Sequence, residues 1–151
     1  MKPIVLLFTM YFLNSADVAA QTTEDSVKMV VNRLFTSLKN ADAETLKSIF
    51  ADSAKLQTIS RDKQGNTIVR NENLAEFINF VGKQSKGAAD ERIEFKTVLS
   101  DGVLAMAWTP YQFYFNGKFS HCGVNSFQLV RIRGEWKIQY LIDTRRKENC
   151  E

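Results

Sequence analysis

The chain has 151 residues, 44% of them hydrophobic and 25% charged, with 20 basic against 17 acidic side chains for a net charge of +3. That length suits one domain with a core of its own, and no nucleic-acid partner is expected, because the only basic cluster is Arg145-Arg146-Lys147 and no Lys/Arg stripe accompanies it. One histidine and two cysteines, His121, Cys122 and Cys150, match no zinc spacing, and no glycine-rich phosphate loop or dinucleotide fingerprint is present, so neither metal nor cofactor is expected.

Lys2, the apolar run Ile4–Leu13 and the small residues Val18-Ala19-Ala20 read as a secretory signal peptide cut after Ala20. The run is too short for a membrane anchor. The mature chain, residues 21–151, is therefore expected as a single periplasmic or secreted domain, off the membrane once the leader is removed. An oxidising compartment favours a disulfide between Cys122 and Cys150, which would tie the C-terminal tail to the central strands.

Val27, Val30, Val31, Leu34, Phe35 and Leu38 recur at helical spacing and predict an amphipathic helix over 23–39, capped by Thr22 or Thr23 and ended by Asn40. A short second helix follows Asp42, with Leu46, Ile49 and Phe50 on one side. Lys55–Arg61 and Thr67–Arg70 flank a turn-rich loop and predict a small hairpin. Asn71 or Asn73 caps a third helix running to about Gln84, and Glu91–Ser100 reads as one strand with Ile93, Phe95, Thr97 and Leu99 on a common face.

Three long antiparallel strands close the chain: Val103–Phe115, Lys118–Ile132 and Glu135–Leu141, joined at Asn116-Gly117 and Arg133-Gly134. Pro110 inside the first marks an edge or a bulge. With two-residue turns and regular ladders, Tyr114 opposes Phe119, Gln112 opposes His121, Trp108 opposes Asn125 and Phe127 opposes Tyr140. One face then carries Trp108, Tyr114, His121, Asn125 and Tyr140 above a floor of Phe127, Leu129 and Ile138. An apolar floor with a few polar groups is the usual form of a small-molecule site. Asn125 is the most telling member, since a buried amide needs a partner. Cys122 falls on the opposite face from His121, which argues against a Cys–His pair. Regular register sends Asp143 there too, unless a bulge turns it inward beside His121.

The run from Trp108 to Tyr114, the run from Ser120 to Leu129, and the closing segments Gly134–Ile138 and Ile142–Arg146 resemble the nuclear-transport-factor-2-like superfamily. Within it, the chain is most similar to exported bacterial proteins of the SnoaL-like or lumazine-binding branch. The resemblance implies an α+β fold, a cone-shaped, strongly curved antiparallel sheet packed against three helices of the N-terminal half (a cystatin-like roll). It leaves function open, because the superfamily contains isomerases, cyclases, dehydratases, transport adaptors and binding modules. Its isomerase branch uses a tyrosine and two aspartates inside the cone, whereas the first helix here has no tyrosine and residues 103–130 contain no acid.

Three readings follow. The first is a domain that binds a small apolar or aromatic molecule through Trp108, Tyr114, His121, Asn125 and Tyr140. The second is an isomerase, cyclase or dehydratase with His121 as general base oriented by Asp143. The third is a homodimer built on the open sheet face of Val124, Gln128, Val130, Lys137, Gln139 and Leu141.

Overall fold

The apolar stripe of the first helix finds its place against a sheet. In the computed structural model, which describes residues 22–150, helix α1 (Thr23–Asn40) buries Val27, Val30, Val31, Leu34, Phe35 and Leu38. Thr22 caps it: its hydroxyl accepts from the Asp25 N–H at 3.1 Å, and the Asp25 carboxylate turns back to the Thr22 hydroxyl at 2.7 Å. The expected leader lies outside the described residues. Helix α2 (Ala43–Ile49) starts at Asp42, which accepts from the Thr45 N–H at 3.0 Å, and buries Leu46 and Ile49. Phe50 takes extended backbone and opens strand β1 (Phe50–Arg61) instead of continuing the helix.

Strand β1 turns back into β2 (Thr67–Glu72) through a loop organised by Asp62, whose carboxylate accepts from the N–H groups of Gln64 and Asn66. Asn73 is the cap of α3 (Leu74–Gly82), accepting from the Glu76 N–H at 3.1 Å. The single strand expected over 91–100 is two: β3 (Ala89–Ile93) and β4 (Thr97–Asp101), both pairing with β5 (Leu104–Phe115). The break at 94–96 flips the alternation. Ile93, Phe95 and Val98 pack on the core, while Leu99 faces out. Pro110 sits where β5 passes from one partner to the other, so its missing N–H interrupts no ladder, and its carbonyl accepts from Glu94 at 3.0 Å.

With β6 (Lys118–Ile132) and β7 (Glu135–Thr144) the sheet runs β2-β1-β7-β6-β5-β3, with β4 also on β5, and is antiparallel except between β1 and β7. This is the α+β architecture anticipated from the sequence. The core lies between α1, α2 and the sheet, around Phe127, Leu129, Ile138, Leu34 and Leu46, all essentially without solvent access. Burying each such side chain is worth about 1.5–3 kcal/mol.

Both hairpin turns are two-residue turns with positive φ at both positions: Asn116 50° and Gly117 75°, Arg133 51° and Gly134 86°. Next to the turns the pairing is the expected one, Tyr114 with Phe119 and Leu129 with Ile138. Further along it is not. Phe113 pairs with His121, leaving Ser120 as an extra residue, and Gln128 pairs with Tyr140, leaving Gln139 extra. Each bulge shifts the ladder by one, so Thr109 rather than Trp108 opposes Asn125, and Leu141 rather than Tyr140 opposes Phe127.

Beyond β7 the tail continues along β6, with Cys122 and Arg146 exchanging N–H···O bonds of 2.8 and 2.9 Å. There Cys122 and Cys150 form the expected disulfide, Cα atoms 5.7 Å apart and 28 residues apart in sequence. Replacing both cysteines by serine should lower unfolding stability by about 2–4 kcal/mol. Urea denaturation measures this, and the wild type should lose a similar amount under reductant.

Candidate functional site

The helices cover only part of the concave face of the sheet. Between α1, α3 and the strands lies a cavity of about 500 Å³. Leu34, Phe35, Leu38, Phe77 and Val81 line its helical side, and Leu56, Phe113, Phe115 and Leu141 line its sheet side. Its polar groups come from rows that cross the sheet. One row is Thr109–Asn125–Asp143–Thr58, drawn from β5, β6, β7 and β1; the next is Ile93–Tyr111–Gly123 and the one after it Glu91–Phe113–His121, both from β3, β5 and β6.

Asp143 is buried, and both its oxygens are engaged. Oδ1 accepts from the Thr58 hydroxyl at 2.6 Å; Oδ2 lies 2.9 Å from both the Tyr111 hydroxyl and Arg145 Nε. The Tyr111 hydroxyl is also 2.9 Å from the Thr144 carbonyl, so its one proton is shared between two acceptors. Burial, followed by the Asp143 and Glu91 carboxylates, pushes the Tyr111 phenol far above its ordinary value, leaving it a fixed donor. Gly123 makes this junction possible. A Cβ there would stand 1.7 Å from the Thr144 carbonyl oxygen and 2.9 Å from the Tyr111 ring, so no side chain fits.

Asn125 is buried and donates from Nδ2 to Glu91 Oε1 at 2.8 Å. Burial is the main cause that raises the Glu91 carboxyl from 4.5 to about 7, with Asp143 adding to the rise and the Asn125 bond opposing it. His121 sits edge-on to Tyr111 (ring centroids 5.7 Å apart) and 5.0 Å from the Phe113 ring, with Ser120 Oγ 3.0 Å from Nδ1. Burial, then the Arg145 cation, lowers its pKa below the ordinary 6.5, so the imidazole is neutral at pH 7.

No known family's sequence profile matches the chain, and no curated protein matches it by sequence. Solved structures do match in three dimensions. A nuclear-transport-factor-2-like protein of unknown function from Shewanella baltica superposes with a TM-score of 0.61 at 12% identity, over 82% of this chain and 93% of that one. A similar protein of unknown function from Shewanella oneidensis gives 0.60 at 14% identity, over 80% and 97%. A domain of unknown function with a cystatin-like fold from Nostoc punctiforme gives 0.63 at 15% identity, over 87% and 80%. The chain has the nuclear-transport-factor-2-like fold.

Within that fold, the expected site residues divide. His121 and Asn125 line the cavity, and so does Asp143, which the β7 bulge turns inward. His121 and Asp143 do not form a hydrogen-bonded pair, because the carboxylate is held by Thr58, Tyr111 and Arg145. Trp108, Tyr114 and Tyr140 are outside the cavity and correct the expected lining. The β6 bulge places Trp108 on the convex face, 43% exposed. Tyr114 bonds Gln112 at 3.0 Å beneath the Arg92 guanidinium, and Tyr140 bonds Gln57. The β7 bulge likewise turns Leu141 from the expected dimer surface into the cavity.

Glu91 and Tyr111 are the site residues that sequence reasoning missed. Glu91 shares the parity of Ile93 and Phe95 in an apolar-facing strand, and that acid on an inward position was the available signal. Tyr111 carried no such signal, since regular register pointed it outward.

The Glu91 shift has a stability consequence with a definite sign. The folded chain holds this proton to about 7 and the unfolded chain only to 4.5, so the group's contribution is complete below 4.5 and declines as pH rises to about 7. Glu91→Gln, which keeps an acceptor for Asn125, should therefore stabilise the protein by about 1–3 kcal/mol at pH 8 and by little at pH 4.5. Paired denaturant titrations at the two pH values read this directly.

Proposed function

We propose that this chain is an exported domain that binds a small, mainly apolar molecule in the cavity under α1 and α3. One observation carries the reading. An aromatic and aliphatic cavity of about 500 Å³ ends on four convergent polar side chains, Glu91, Tyr111, Asn125 and Asp143, each held by a hydrogen bond to a named partner. A cavity of this size and lining suits a compact ligand with one polar head. Export is supported by the leader-like sequence of residues 1–20 and by the Cys122–Cys150 disulfide. Among the described residues no helix is long and apolar enough to cross a membrane. The narrower affinity with the SnoaL-like or lumazine-binding branch belongs to the same reading.

Acid–base catalysis is the second reading, and Glu91 favours it. A carboxyl titrating at about 7 beside the cavity can both give and take a proton at neutral pH. It is better placed for that role than His121 paired with Asp143.

The neutral fluorophore N-phenyl-1-naphthylamine tests the binding reading. It should brighten on adding the protein, and Leu141→Trp, which grows a half-buried side chain into the cavity, should weaken binding by roughly tenfold or more, about 1.4 kcal/mol. No brightening, or equal binding by a folded Leu141→Trp variant, would count against the cavity as the site.

A further inference from the structure

The cavity is aromatic along its walls and acidic where its polar groups gather. Its lining includes the carboxyls of Glu72, Glu76, Glu91 and Asp143 against one guanidinium, Arg145. Arg145 is already engaged, donating from Nε to Asp143 Oδ2 at 2.9 Å. With Thr58 and Tyr111 on the same carboxylate, Asp143 is electrostatically and sterically satisfied.

Glu91 is not. Among the described residues its one hydrogen bond is the Asn125 donation to Oε1 at 2.8 Å, and it takes part in no ion pair. An ionised carboxylate can accept about four hydrogen bonds, and Oε2 has no protein partner among the described residues while Glu91 lines the cavity. Such a group is relieved either by a proton or by a cation brought to it. An alcohol could donate one hydrogen bond to Oε2 but would leave the charge uncompensated. A carboxylate or phosphate ligand would meet like charge from Glu91, and again from the exposed Glu72 and Glu76. An ammonium supplies both the donor and the opposite charge, and the lining holds the aromatic rings of Phe35, Phe77 and Phe113, a residue type that attracts cations.

We propose that the cavity selects an organic ammonium, a primary or secondary amine on an aromatic or aliphatic body, whose N–H donates to Glu91 Oε2 while Asn125 holds the carboxylate in place. This specifies the ligand class of the binding reading above and rests on it.

Tryptamine, tryptophol and indole-3-acetate share a body and differ in the head group. Calorimetric titration of the full mature chain with each at pH 8, where Glu91 is ionised, compares cation, neutral donor and anion. Tryptamine should bind at least roughly tenfold tighter than tryptophol, with indole-3-acetate weakest. In Glu91→Gln the tryptamine preference over tryptophol should vanish, while an unchanged circular dichroism spectrum shows the variant folded. If tryptophol binds as well as tryptamine in the wild type, or the preference survives Glu91→Gln, the amine proposal falls and the cavity reading stands. If none of the three binds, both fall.

Discussion

Two inserted residues decide what this sheet presents to its helices. Side chains alternate along a strand with a period of two, so a shift of one exchanges the faces of everything beyond it. Ser120 on β6 and Gln139 on β7 are such insertions. Without the first, Trp108 would stand opposite Asn125 and Tyr111 would face away. Without the second, Tyr140 would oppose Phe127 and Asp143 would turn to the convex side. With both, Tyr111, Asn125 and Asp143 share the concave face with Thr58, and the cavity acquires a polar end.

That polar end imposes its own demands. Leaving a buried hydrogen-bonding group unpaired costs about 1–3 kcal/mol, and more for a charged one. The chain meets this for Asp143 with three partners and for Asn125 with Glu91. Thr109 Oγ1 is the exception, buried without a partner among the described residues. Gly123 carries the steric side of the arrangement, since only its missing Cβ lets the Thr144 carbonyl come close enough for the Tyr111 hydroxyl to reach it and Asp143 together. Arg145 is engaged with Asp143, and Glu91 keeps Asn125 as its one hydrogen-bond partner among the described residues.

Much of the fold was legible because it depends on periodicity and punctuation. The α1 stripe, the caps at Asp42 and Asn73, the two positive-φ turns and the disulfide partners all follow from local residue choice. The site was less legible, because a bulge leaves no distinct residue signature: neither Ser120 nor Gln139 looks unlike its neighbours. Turn-anchored register was therefore correct for the first pairs and wrong beyond them. His121 and Asn125 were placed correctly, since they lie on the strand whose inward parity the apolar run Phe127–Leu129 also fixes. Trp108 and Tyr140 were misplaced, as they sit on the strands whose parity the bulges change. The β5–β6 pair has no acid; Asp143 on β7 was expected inward only through a bulge, as the fold has it, and Glu91 on β3 was not anticipated.

Bulged register brings Tyr111 and Asp143 into direct contact on the cavity side of the sheet. A double-mutant cycle of Tyr111→Phe and Asp143→Asn, read by urea denaturation, tests it most directly. Contact at 2.9 Å predicts a coupling of at least about 1 kcal/mol between the two substitutions. Effects that add to within about 0.5 kcal/mol, as expected if regular register kept the two side chains on opposite faces of the sheet, would contradict the account.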